Sequence, residues 1–146
     1  YLQSRSDVNK DRLGCVGLSY GGRMTMLAAS ADERIRVAVV SGALNVMQER
    51  IAGHYGCGAQ VIPGLLQFGD VPEIGSLIAP RPCLWEVGLQ DKLIDPAWAE
   101  VALERMRRAY NTFAAEQDLR VDRFNGGHRW NGQEAIGLLR SVLKRN

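Results

Sequence analysis

The stretch "CVGLSYGGRM" at residues 15–24 decides how the chain folds, because it joins a strand pattern to a helix pattern through one serine. The residues before Ser19 form a nearly continuous apolar run, "RLGCVGL" at 12–18, as expected of a strand buried on both faces. Residues 21–31 then place apolar side chains at helical spacing. The pattern therefore predicts a sharp strand-to-helix turn at Ser19.

Two glycines flank this serine in the pattern G-x-S-x-G, which is typical of a nucleophile held on a strained turn. Gly17 and Gly21 have no Cβ, so neighbouring backbone can pass close to the turn. The N-terminus of the following helix would point its free N–H groups at a developing oxyanion, and we expect the Tyr20 N–H to be one donor. In the alternative interpretation, Ser19 only caps the helix.

The rest of the chain alternates between strand and helix patterns. Further strands are predicted at 35–44, 82–88 and 119–127, and further helices at 95–113 and in the C-terminal segment. Asp95 followed by Pro96 is a good helix start, with a capping side chain and proline at the first helical position. The alternation predicts an α/β fold with a parallel sheet of about four strands flanked by helices on both sides.

We interpret residues 1–146 as a single domain that contains an inserted lid or pocket-lining segment at 45–79. That segment is too apolar for a disordered linker and too interrupted for one long helix, so one or two short helices are expected in it. Met47, Trp130 and the stretch 51–68 are candidates for lining a substrate pocket. Each has the alternative role of ordinary packing.

Composition excludes several classes of function. Of the 146 residues 46% are hydrophobic and 23% charged, and the net charge is only +2 with the basic residues scattered. Neither nucleic acid nor a membrane is therefore expected as a partner. The cysteines, Cys15, Cys57 and Cys83, share no metal-ligand spacing, so no metal or cofactor is predicted. No signal peptide is visible, but the chain starts without Met, and the compartment stays open with the cytoplasm favoured.

A serine nucleophile needs a base, and the chain offers two histidines. His128 follows the last strand in "FNGGHRWNG", where two glycines release it into a loop above the sheet. His54 lies among small residues in the lid-like segment, with no strand end to hold it. We therefore expect His128 to be the base.

The orienting acid should follow another strand, and "WEVGLQDKLIDP" offers three carboxylates. Asp95 is accounted for by its capping position. Glu86 falls within the strand, where we expect its carboxylate to reach neither the loop nor the site. Asp91, three residues past the strand, is placed to accept the second imidazole N–H, although it can also be read as a solvated turn residue. The order Ser19, Asp91, His128 is that of α/β-hydrolases.

These residues carry a family resemblance that covers essentially the whole chain. "GLSYGG", "VGLQDKLIDP" and "GGHRW" resemble the C-terminal half of the α/β-hydrolase superfamily, nearest to the dienelactone hydrolase and acetylxylan esterase-like group. The resemblance implies a serine esterase that cleaves small carboxylic esters through an acyl-enzyme intermediate. One alternative is a prolyl-oligopeptidase-like peptidase, because that family shares the serine motif. The other is an assembling fragment without useful activity on its own.

The chain departs from the family in its number of strands. The family's fold usually has eight strands, and the loop after its third strand usually supplies a second oxyanion donor that residues 1–11 do not provide. The strand at 12–18 would therefore present an unpaired apolar edge. We expect that edge to be covered by a second copy, as a homodimer, or by a separate N-terminal fragment.

Overall fold

The computed structural model describes residues 1–47 and 62–144, and these form one parallel sheet with helices on both faces. The strands are β1 (Leu13–Leu18), β2 (Ile35–Ser41), β3 (Cys83–Gly88) and β4 (Leu119–Phe124). The helices are α1 (Tyr20–Ala31), α2 (Val71–Ser76), α3 (Pro96–Thr112) and α4 (Gln133–Leu143). The strand order is β1-β2-β3-β4, and every neighbouring pair is parallel. The predicted fold class is confirmed.

Alternating side chains of the central strands face two separate layers of helices. On one face Ala38, Val40 and Trp85 pack with residues of α1, α2 and α3 in the larger apolar cluster. On the other face Val37, Val39 and Leu84 pack against Ala135 and Leu138 of α4. Because strands β2 and β3 are covered on both faces, they read in the sequence as continuous apolar runs.

Strand β1 lies at the edge of this sheet and is less buried than its sequence suggests. Its residues alternate between half-buried and exposed, with Val16 44% and Leu18 37% exposed. The expectation of a strand buried on both faces is therefore wrong for β1 among the described residues. The expectation of an apolar edge is confirmed within the described ranges, since β1 is the end strand of the order β1-β2-β3-β4 and pairs on one side only, with β2.

The helix starts follow from local capping chemistry. Asp95 caps α3 by accepting the Ala97 N–H at 2.9 Å, with Pro96 at the first helical position, as predicted. Asp70 caps α2 in a reciprocal arrangement in which Glu73 accepts the Asp70 N–H. No helix among the described residues has the length and apolarity needed to cross a membrane.

Part of the sequence interpretation falls on residues 48–61, which lie outside the described ranges. His54, Cys57 and most of the stretch 51–68 belong to this part. The lid-like segment at 45–79 therefore stays a prediction. Its described portion contains a 3-10 turn at Leu65–Gln67 and the short helix α2.

Candidate active site

Ser19 occupies a strained turn between β1 and α1. Its backbone has φ 58° and ψ −118°, a positive-φ conformation that a non-glycine residue rarely adopts and that costs on the order of 1–3 kcal/mol. Ser19 stands at the N-cap position of α1, yet its side chain makes no capping hydrogen bond. The alternative reading of Ser19 as a simple helix cap thus loses its support.

The carboxyl end of β2 fixes this turn from one side. The Ser19 N–H donates to the carbonyl oxygen of Ser41, the last residue of β2, at 2.9 Å. Tyr20 follows as the first residue of α1, where a backbone N–H has no acceptor within the helix. The oxyanion donor predicted at Tyr20 therefore lies directly beside the serine, at the positive end of the helix dipole.

The glycines of the turn have unequal roles. A Cβ at Gly17 would lie 2.1 Å from the carbonyl oxygen of Gly21, so the turn closes only with glycine there. A Cβ at Gly21 would meet nothing within 4 Å. The expectation that both motif glycines permit close backbone approach is therefore wrong for Gly21. Gly22 is the second crowded position, since its Cβ would lie 2.7 Å from the carbonyl oxygen of Ser41.

His128 and Asp91 are brought together as a hydrogen-bonded pair. His128 Nδ1 lies 2.8 Å from Asp91 Oδ2. Because a carboxylate only accepts, Nδ1 carries the proton and Nε2 is left with its lone pair when the imidazole is neutral. Nε2 is buried and has no hydrogen-bond partner within the described ranges. An imidazole in this state is arranged to accept a proton.

The histidine lies over the same end of β2 that holds the serine. A Cβ on Gly42 would be 3.0 Å from His128 Cε1 and 3.3 Å from Leu18 Cδ1, so the imidazole ring and the side chain of the residue before Ser19 both lie close to Gly42. Gly42 directly follows β2 and has a φ of +54°, a conformation that favours glycine. Ser19 and His128 are thus both held against Ser41–Gly42.

Sequence reasoning missed two residues of this arrangement. The strand predicted at 35–44 contains Gly42, but nothing in its pattern assigns this glycine a place at the site. Glu86 was expected to reach neither loop nor site, and this is wrong, because its carboxylate accepts the backbone N–H groups of Asn131 and Gly132 in the loop that carries His128. The signals that could have revealed them are a glycine near the end of a strand and a charged residue inside an apolar run.

Two of the predicted pocket-lining residues, Met47 and Trp130, lie within the described ranges. Trp130 follows the histidine loop and is 44% exposed. The Met47 N–H donates to Asp70 Oδ2, which ties the chain after β2 to the start of α2. Across residues 1–47 and 62–144, no group of three or more His, Cys, Asp or Glu side chains is arranged to hold a metal ion.

Comparison with known proteins gives one curated relative and many related structures. The chain is 35% identical over 135 residues to "Putative hydrolase YtaP" of Bacillus subtilis (strain 168), a match that covers 88% of this chain and 44% of that protein. The chain thus spans less than half the length of this relative. No protein-family model matches this chain.

The similar solved structures are esterases. A glucuronoyl esterase from Solibacter usitatus superposes with a TM-score of 0.76 at 17% identity, over 97% of this chain and 44% of that one. A CE15 glucuronoyl esterase from Teredinibacter turnerae T7901 gives 0.71 at 22% identity, over 99% and 43%. "Methylesterase BT1017" gives 0.72 at 21% identity, over 98% and 32%.

These superpositions establish the fold. They do not test the similarity to dienelactone hydrolases, which stays a prediction. Each structure is matched along nearly all of this chain but less than half of its own. The chain has the fold of the C-terminal half of an α/β-hydrolase.

Proposed function

We propose that the chain is a serine hydrolase that cleaves carboxylic esters through an acyl-enzyme intermediate. The observation that carries the proposal is the hydrogen bond between His128 and Asp91, formed beside the strained turn of Ser19. Nucleophile, base and orienting acid in this order and on these strand ends are the arrangement that acyl transfer requires. The esterase names of the similar structures support an ester rather than an amide substrate.

In the first half of the reaction, Ser19 Oγ attacks the ester carbonyl while His128 Nε2 takes the hydroxyl proton. Asp91 stabilises the resulting imidazolium and keeps the ring oriented. The Tyr20 N–H donates to the oxyanion of the tetrahedral intermediate. His128 then returns the proton to the departing alkoxide, which leaves as an alcohol.

In the second half, water attacks the Ser19 ester. His128 Nε2 accepts a proton from that water, and the proton returns to Ser19 Oγ as the acyl group leaves as a carboxylic acid. The reaction needs no cofactor, because every proton is exchanged between the substrate, water and these side chains.

The edge of β1 carries a second proposal, about partners. Val16 and Leu18 are exposed there, and an unpaired edge with apolar side chains favours pairing with another strand. A second copy or a separate N-terminal segment would cover this edge, and either could bring the second oxyanion donor. If neither brings that donor, the alternative of a fragment without activity on its own applies, since loss of one donor costs on the order of 10²–10³ in turnover.

Hydrolysis of p-nitrophenyl acetate and butyrate by the purified chain tests the function. We expect turnover in the parent and none above background in Ser19→Ala, while Ser141→Ala, the same change on α4, keeps full activity. Methyl glucuronate serves as a second substrate, because the similar structures include glucuronoyl esterases. Equal background activity in the folded parent and Ser19→Ala would contradict the esterase proposal.

Sedimentation velocity on the same samples tests the partner. A dimer that Val16→Lys converts to monomer would support pairing along β1. Activity that appears only when an N-terminal segment of a longer relative is added would support the separate-segment alternative.

A further inference from the structure

Glu86 is a buried carboxylate in the middle of the sheet. It lies on β3 with 1% of its surface exposed, among the fully buried apolar residues of that strand. Its Oε1 accepts the Gly132 N–H at 2.7 Å and its Oε2 accepts the Asn131 N–H at 3.1 Å. A carboxylate is costly to bury, so both of its oxygens are satisfied by a specific segment of the chain.

That segment is the far end of the histidine loop, which we define as residues 125–132. Gly132, with φ +75°, is the N-cap residue of α4 and offers no side chain to cap the helix. The N-terminus of a helix leaves free N–H groups and carries partial positive charge, which the Glu86 carboxylate complements. Besides Glu134 in its own first turn, α4 receives this carboxylate from strand β3, whereas α2 and α3 are capped by the adjacent Asp70 and Asp95.

A second carboxylate beside Glu86 holds the same loop. Asp122 is the register partner of Glu86 on β4 and is also buried. Its Oδ2 accepts from Asn131 Nδ2 at 2.7 Å. The side chain and the backbone of Asn131 are therefore bound to neighbouring strands at once.

The first part of the histidine loop is held by residues in the turn that follows β3. The Gln90 N–H donates to the carbonyl oxygen of Gly126 at 2.9 Å, and Asp91 holds the His128 ring. The turn after β3 thus holds the loop before His128 through Gln90 and His128 itself through Asp91, and β3 holds the loop after His128 through Glu86. His128 lies between these attachments.

We propose that Glu86, assisted by Asp122, is a positioning residue that holds the histidine loop so that His128 stays aligned between Asp91 and Ser19. The inference rests on the proposed function. Glu86 touches neither substrate nor reacting atoms, and acts through Asn131 and Gly132. Misplacement of a catalytic group by about 1 Å can cost on the order of 10²-fold in rate, which sets the scale of the expected effect.

The test is Glu86→Gln, which keeps the size of the side chain. Glutamine accepts through one oxygen only, and its NH₂ group would face the second N–H. We expect kcat for p-nitrophenyl acetate to fall about 10- to 100-fold, with KM within about threefold of the parent. The proton resonance of His128 Nδ1–H, hydrogen-bonded to Asp91, should be sharp in the parent and broadened or lost in the variant.

The matched control is Glu100→Gln. Glu100 also accepts two hydrogen bonds, from the Arg123 guanidinium, but at an exposed site between α3 and β4. We expect it to leave both kcat and the His128 resonance unchanged. If Glu86→Gln does not fold, Asn131→Ala, which removes only the Asp122 contact, is expected to lower kcat about threefold or more.

The outcomes separate the inference from the function. A parent without esterase activity but with a His128 resonance that Glu86→Gln broadens would refute the proposed function and support positioning. An active parent whose kcat and resonance are the same in Glu86→Gln would overturn positioning and leave the function standing. Reduced stability with unchanged activity per folded molecule would also overturn positioning, because it shows a purely structural role.

Discussion

Asp91 binds His128 with one carboxylate oxygen and shapes its own turn with the other. Oδ2 lies 2.8 Å from His128 Nδ1, while Oδ1 accepts the N–H groups of Leu93 at 2.8 Å and Ile94 at 3.2 Å. The residue is 8% exposed. Because the hydrogen bonds within the turn fix the orientation of the carboxylate, Oδ2 is held in place to accept the Nδ1 proton of the imidazole.

Asp91→Asn should therefore abolish most activity while the fold persists. The amide oxygen can still accept from Leu93 and Ile94, but the NH₂ group would face Nδ1 and favour the imidazole tautomer with its proton on Nε2. In a Ser-His-Asp triad this change lowers kcat by about 10⁴. Ester hydrolysis and urea unfolding measure the two effects. The exposed Asp7→Asn is the control, and a loss smaller than about tenfold in Asp91→Asn would contradict the orienting role.

The two glycines of the serine motif should respond in opposite ways to substitution by alanine. Gly17→Ala would force its methyl group to 2.1 Å from the Gly21 carbonyl oxygen and 2.7 Å from Thr25 Oγ1, so backbone must move. We expect it to lower the free energy of unfolding by about 3 kcal/mol or more. Gly21→Ala has open space and stands in α1, so it should be neutral or stabilise by up to about 1 kcal/mol. Urea unfolding of both variants checks this, and similar losses in both would contradict the geometry.

Local patterns in the sequence predict most of the elements and their order. The strand β3 is expected at 82–88 and found at Cys83–Gly88, and the cap of α3 at Asp95 is found as expected. These features depend on periodicity and on contacts between residues close in the chain. The sheet end that carries the candidate site follows from the parallel order of the strands.

Contacts between distant residues could not be predicted in the same way. The Glu86 carboxylate meets Gly132, 46 residues later, only because β3 and the start of α4 are brought together by the folded sheet. The exposure of β1 depends on which strands lie beside it, and an apolar run reads the same at an edge as in the centre. Periodicity predicts on which face of a strand or helix a side chain lies, but not which distant residues it contacts.

Gly42 supplies a prediction that separates crowding from backbone strain. In Gly42→Ala the new methyl group would lie 3.0 Å from His128 Cε1 and displace the ring, so we expect kcat to fall about 10- to 100-fold. Gly64→Ala is the control, because φ is +81° there while the new methyl group would meet only Gln67 Nε2 at 4.0 Å. Both should lose about 1 kcal/mol of stability from the positive φ. Equal activity in the two variants would show that Gly42 does not control His128.

Tyr110 predicts how stability changes at alkaline pH. Its ring is fully buried on α3, its hydroxyl donates to the Arg81 carbonyl oxygen at 2.9 Å, and burial raises the pKa of the phenol. The folded chain therefore keeps this proton while the unfolded chain loses it above about pH 10. A pKa raised on folding gives stability that is complete below pH 10 and is lost as pH rises beyond it.

Tyr110→Phe removes this titration and the hydrogen bond together. At pH 8 the variant should be about 1 kcal/mol less stable, because the Arg81 carbonyl loses its donor. Between pH 10 and 11 its free energy of unfolding should fall less steeply than that of the parent, by up to about 1.4 kcal/mol per pH unit. Burial also raises the pKa of Cys83, but that thiol is present in both proteins and its effect cancels in the difference. Urea unfolding at pH 8, 10 and 11 measures both slopes, and parallel curves would show that Tyr110 ionises equally easily in the folded and unfolded chains.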